Sequence, residues 1–194
     1  MEETGHTGRD DFAGPFSFIA ATHRARVLAC LIALTAALSL WLTVLGAPLA
    51  TDAAPDGIVS FELARTAEAS RVILDSWDAT AREAAMLVQG VDFLFLLAYP
   101  AFFSLAAVQL GRRLGGPWQR LAGPLAWAVW LAAPLDVVEN LALIEQLRSG
   151  VSAGAAFIAW ACAVPKFALV GVLAGYVLAA LAAWGLRALR PDAP

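Results

Sequence analysis

The chain has 194 residues, 60% of them hydrophobic and 15% charged, with a net charge of −3 and a mean hydropathy of +0.71. A soluble domain of this size carries about a quarter charged residues and less than half apolar ones, so the excess apolar surface requires a solvent other than water. The charge balance, with no basic face interleaved with aromatics, excludes a nucleic-acid partner.

Crossing the hydrocarbon core of a bilayer takes about 20 mostly apolar residues. Residues 1–23 come before any such run and include Glu2, Glu3, Asp10 and Asp11; they are expected to form a disordered cytoplasmic tail. The first span covers 24–49 and is free of charge from residue 27 onward. It reads as a retained helix rather than a cleaved signal peptide. The tail is not basic, the apolar run exceeds the ~7–15 residues of a signal core, and Pro48-Leu49-Ala50 is a weak cleavage site. Thr35, Ser39 and Thr43 give this helix a mild polar stripe.

Residues 50–83 form the only sizeable link. The segment from Thr51 to Gly57 has turn composition. Beyond it, Ile58, Phe61, Leu63, Val72, Ile73, Leu74 and Trp77 recur among charged residues; from Ala50 to Arg82, six acids (Asp52, Asp56, Glu62, Glu68, Asp75 and Asp78) balance Arg65, Arg71 and Arg82. Thr66 marks a helix start, and Thr80-Ala-Arg-Glu83 matches a capping box that would open the next span. Three roles suit the amphipathic stretch 58–77: lying at the interface, covering the bundle as a lid with Trp77 against a ligand, or simply connecting.

The second span covers 84–110, the third 121–145 and the fourth 153–186, followed by a short cytoplasmic tail, 187–194. Helices are required because lipid offers the backbone no hydrogen bonds, and the alternation of a membrane barrel is absent. The fold expected is an all-α bundle of four transmembrane helices with an amphipathic outer segment. Arg24, Arg26, Arg112, Arg113, Arg120, Arg187 and Arg190 all fall on one side of such a bundle, which places both termini in the cytoplasm. Trp118 and Trp184 would then mark the inner interface and Trp160 the outer one. Cys30 and Cys162 sit at depths roughly 10 Å apart, too far for a disulfide. Metal-ligand spacing is absent, and no cofactor is expected.

The polar residues within the spans carry the functional information. A charge at the bilayer centre costs about 2.5–3.5 kcal/mol on insertion scales, so such residues are functional by default. Asp92, Asp136, Glu139 and Lys166 are the four, and the topology places them all in the outer half. Asp136, Glu139 and Asn140 share one helix face, as do Gln89, Asp92 and Tyr99. Gly171 and Gly175 form a small-residue packing surface for a helix partner, with Lys166 roughly opposite. Pro100, Pro134 and Pro165 each leave a carbonyl four residues earlier without its donor.

Phe61-Glu-Leu-Ala64, Trp77, Asp92-Phe-Leu-Phe95, Tyr99, Asp136-Val-Val-Glu-Asn140 and Lys166-Phe167 together resemble a group of small, uncharacterised bacterial four-helix membrane proteins. That resemblance implies a bacterial inner membrane location and no activity. In plan, a four-helix bundle with acids in an outward pocket is also similar to the EXPERA domain, which includes sterol isomerases and lipid-binding receptors. No span here contains a His, so the isomerase pattern is not matched, and plan alone carries no chemistry.

Two classes of function are expected. In the first, an outer pocket binds or converts an amphiphilic, lipid-like small molecule from the bilayer. Asp136 or Glu139 would then exchange the proton, tuned by Asp92 and Lys166, and Gln89, Tyr99, Asn140 and Trp77 would complete the site. In the second, the chain is a structural or assembly subunit whose charges lock the helices.

Overall fold

The computed structural model describes residues 14–189. Among them the chain is helical wherever it is regular, in seven α-helices and two 3-10 turns. Helix α1 is Ala21–Gly46, extended by a 3-10 turn at Ala47–Leu49. The link folds into two short helices, α2 (Ile58–Glu62) and α3 (Ala67–Ser76). Helix α4 is Ala79–Leu114. The third apolar run is split into α5 (Gly116–Ala128), a 3-10 turn at Val129–Leu131, and α6 (Ala132–Ser149). Helix α7 is Ala153–Ala188.

Four segments, Ala21–Leu49, Ala79–Leu114, Gly116–Ser149 and Ala153–Ala188, are long and apolar enough to cross a membrane. Their outward faces carry exposed Leu40, Leu97, Leu131 and Leu178.

Helix starts follow local chemistry. The Thr66, Asp78 and Ser152 side chains accept from the backbone N–H three residues on, at 3.2, 2.8 and 3.1 Å, satisfying donors that the first turn leaves open. The start at Thr66 is as expected. The capping box at Thr80 is not formed: Asp78 caps α4 instead, so the helix opens two residues earlier than a Thr80 cap would have it, and before the apolar span at 84 as expected. At its other end α4 runs to Leu114, and Gly115 alone joins it to α5. Gly115 and Gly116 have φ of +67° and +55°, a conformation that costs glycine nothing and side chains a good deal. What read as a link at 111–120 is thus a one-residue turn. The break within the third span precedes Pro134, which has no N–H for the Trp130 carbonyl and tightens the chain into the 3-10 turn. Pro100 and Pro165 are accommodated inside α4 and α7.

Helix α4 is the centre of the bundle, touching α1, α5, α6 and α7, while α6 and α7 pack closely on each other. At the link end, Leu49, Phe61, Ile73, Leu74, Trp77, Leu143 and Ala159 form one apolar cluster. The Trp77 indole N–H donates to the Leu49 carbonyl at 2.9 Å, and its ring meets Phe61 edge-on at 5.3 Å. Arg65, at φ +56°, lays its guanidinium 4.6 Å from the centre of the Trp160 ring. The link is therefore folded over this end of the bundle.

At the opposite end, Arg187 donates to the Leu114 carbonyl at 2.8 Å, the Tyr176 hydroxyl to the Trp118 carbonyl at 2.7 Å, and Gln109 to the Arg24 carbonyl at 3.2 Å.

The tails differ from expectation where they are described. Phe16, assigned to the tail 1–23, packs with Val27, Leu28 and Leu31 of α1 against Leu105, Val108 and Ala126 and lies 6.2 Å from the Trp130 ring. Helix α1 begins at Ala21 rather than at 24, and α7 continues through Ala188. Residues 1–13 and 190–194, with the rest of the predicted tails, lie outside the described residues.

Candidate functional site

Lys166 projects from the middle of α7 into the bundle and is buried. Its ammonium donates to Glu139 at 2.7 Å and to Asp136 at 3.0 Å, both on α6. The one-turn spacing of the two acids presents both to the same cation. Asp136 also accepts from the Tyr99 hydroxyl of α4 at 3.1 Å, and Asn140 donates to Asp92 of α4 at 2.7 Å. The expected convergence of Asp92, Tyr99, Asp136, Glu139, Asn140 and Lys166 is therefore present, bound by hydrogen bonds across three helices.

One member was missed. Glu62, on α2, is buried and stands 3.6 Å from the Lys166 ammonium. From the sequence it counts only among the acids that balance the arginines of the link. Its signal was positional: Glu62 is four residues after Ile58 and adjacent to Phe61, on the apolar side of the amphipathic stretch, where an acid needs a partner. Burial pushes the Glu62 carboxyl above its usual range; Lys166 pulls it down, and Asp136 adds to the rise.

Beside the cluster is a cavity of about 550 Å³. Its floor is α4, with Gln89, Asp92, Phe95, Tyr99, Phe102 and Phe103; α1 forms one wall with Ile32, Thr35, Ala36 and Ser39; α7 forms the other with Lys166, Phe167 and Val170; and Ile58, Val59 and Glu62 of α2 close the link end. Asp136 reaches the cavity, whereas Glu139 lies behind Lys166 and does not line it. Ile32 and Phe167, on facing walls, are both exposed, so the cavity opens sideways between α1 and α7. One end is therefore polar and the remainder aromatic and aliphatic.

Several buried polar atoms here lack a hydrogen-bond partner among the described residues: Gln89 Oε1, Thr35 Oγ1, Glu62 Oε2 and Glu139 Oε2. Such atoms are costly unless a ligand or water serves them. No group of His, Cys, Asp or Glu among the described residues is arranged to hold a metal ion.

Two expected contributors lie elsewhere. Trp77 does not line the cavity; it is held to Leu49 and Phe61 and anchors the folded link. Gly171 and Gly175 face outward, with nothing within 4 Å of a Cβ built at either, so they seat no helix of this chain. Cys30 and Cys162 are both free. No family model, curated protein or solved structure matches this chain, and its site is defined by its own geometry.

Proposed function

We propose that this chain is a multi-pass membrane protein that takes up an amphiphilic, lipid-like small molecule from the bilayer into the space between α1 and α7. One observation carries the reading: a cavity of about 550 Å³ joins a polar end to aromatic walls and opens on the side of the bundle. Its size is that of small-molecule sites, about 300–1,000 Å³. A sideways mouth between apolar helices faces lipid, and the polar end would receive a headgroup. Arg112, Arg113 and Arg187 lie near the end of the bundle away from the link. By the bias of basic residues this end is cytoplasmic, and the folded link lies outside. A bacterial plasma membrane suits the resemblance noted above.

Binding is better supported than conversion, because Glu139, one of the two carboxyls expected to exchange a proton, is shielded from the cavity by Lys166. The assembly-subunit reading has its own support: Lys166 joins α2, α6 and α7 through three carboxylates, and such a lock serves a scaffold equally well.

Photolabelling separates the two. In nanodiscs, alkyl probes bearing a diazirine near the chain end should label the α4 peptide at Phe95, Phe102 and Phe103. Ala36→Trp, which fills the cavity from the α1 wall, should remove that label and leave the melting temperature unchanged. Labelling confined to outward residues such as Leu40 and Leu97, equal in both proteins, would favour the scaffold.

A further inference from the structure

We propose that the headgroup accepted at the polar end is a protonated amine carried on a single alkyl chain. This rests on the reading of the cavity as an amphiphile site and names the class of amphiphile. An ammonium has three donors; Lys166 gives one each to Glu139 and Asp136, and Glu62 stands 3.6 Å away as an ion pair. Its charge is engaged by these three carboxyls, and neither of its hydrogen bonds goes to Asp92. Asp92 stands on the cavity wall with the Asn140 amide on one oxygen and no ion pair among the described residues.

Gln89, one turn before Asp92 on the same face of α4, is 1% exposed and lines the cavity, yet its Oε1 has no partner. Thr35 Oγ1, on the opposite wall, has none either. The polar end therefore presents an amide oxygen, a hydroxyl and a carboxylate, and Lys166, engaged by the other acids, is the one cation among the described residues that lines it. A ligand that donates hydrogen bonds and brings positive charge answers both needs.

The remaining walls fit the rest of such a molecule. Phe95, Tyr99, Phe102 and Phe103 follow Asp92 along α4, and Phe167 faces them. Aromatic faces attract an ammonium near the head and bury methylenes beyond it. From Gln89 to Phe103 α4 rises about 21 Å, at about 1.5 Å per residue, enough for a long single chain. An anionic head would meet Asp92, Asp136 and Glu62 in low dielectric, and a neutral alcohol would leave the Asp92 charge unanswered.

Competition against the diazirine label, using the full chain in nanodiscs at pH 7, tests this. Dodecylamine should displace the label from the Phe95–Phe103 peptide about ten-fold more effectively than dodecanol, as a charge-assisted hydrogen bond warrants, and dodecanoate should be weakest. Asp92→Asn should bring the amine-to-alcohol ratio close to one. Gln89→Glu, which adds a second carboxylate beside Asp92, should raise the ratio, a gain that a folding defect cannot mimic. Equal displacement by amine and alcohol, or a ratio unmoved in both variants, would overturn the headgroup assignment and leave the cavity reading standing. No label in the cavity from any probe would overturn the cavity reading itself.

Discussion

Helices α1 and α7 both flank α4, and they do so in opposite ways. Helix α7 meets α4 and α6 through Ala159, Ala163, Leu173, Val177 and Ala180, all buried, and adds the Lys166 lock at its centre. Small residues let backbones approach closely, which is how helices associate where lipid competes for every apolar contact. Along α1 only Arg24 and Leu38 are buried; it meets the bundle along one narrow face, through Val27, Leu28 and Leu31, Leu38, and Leu42 and Leu45. Ile32, Thr35, Ala36 and Ser39, beside that face, line the cavity. The difference teaches that one half of the bundle is built as a fixed frame. The other half is a wall that buries little of itself, the arrangement a sideways portal needs.

The strongest challenge to that contrast is to cut the lock. Lys166→Met leaves Asp136 and Glu139 as buried, unpaired acids and should cost about 3–5 kcal/mol, read as a large fall in melting temperature in detergent. Replacing Lys166, Asp136 and Glu139 together by apolar residues of similar size should recover much of the loss, since the desolvation cost goes with them. A melting curve indifferent to Lys166→Met would mean that the frame does not depend on its charges.

A smaller effect probes close packing within the frame. A Cβ at Gly111 would stand 2.6 Å from Ala122 Cβ and 2.8 Å from the Tyr176 hydroxyl, so Gly111→Ala should cost about 1–3 kcal/mol by overpacking. Gly171→Ala, where nothing lies within 4 Å, should cost nothing in the isolated protein. Similar losses at both would show that α7 has a partner on its outward face.

The smallest effect concerns the cover. Burial raises the Glu62 carboxyl above its usual 4.5, so the folded state binds its proton more tightly than the unfolded state does. The stability Glu62 contributes is then fully present below about pH 4.5 and is lost as pH rises through the folded value. Lys166, Asp136, Glu139 and Asp92 are the ionisable groups facing it. Glu62→Gln keeps the shape and removes the titration. Melting temperatures from pH 4 to 9 should show the wild type falling progressively below Glu62→Gln. A constant gap would show that α2 sits over the cluster without sharing its charge.

Much of this was legible before any fold was known. Apolar length alone marks four spans, and the 3.6-residue period puts Gln89, Asp92 and Tyr99 on one face and Asp136, Glu139 and Asn140 on another. Where sequence reading went astray, the deciding force was not local. Asp78 and Thr80 are both competent caps, and the choice falls with the path of the link, which buries Trp77 immediately before. Trp77 looked like a lid contact because an aromatic on an amphipathic stretch must bury itself somewhere; periodicity does not say against what.

Composition and period thus determined what each segment is: its length, its apolar character and which side chains share a face. These follow from backbone geometry and from the cost of exposing polar groups to lipid, and both act within a segment. Only the tertiary structure decided that Glu62 joins Lys166, that Glu139 lies behind it, and that a cavity opens between α1 and α7. Those outcomes depend on the rotation and depth of one helix relative to another. Many weak contacts between residues far apart in the chain set both, and no single segment encodes them.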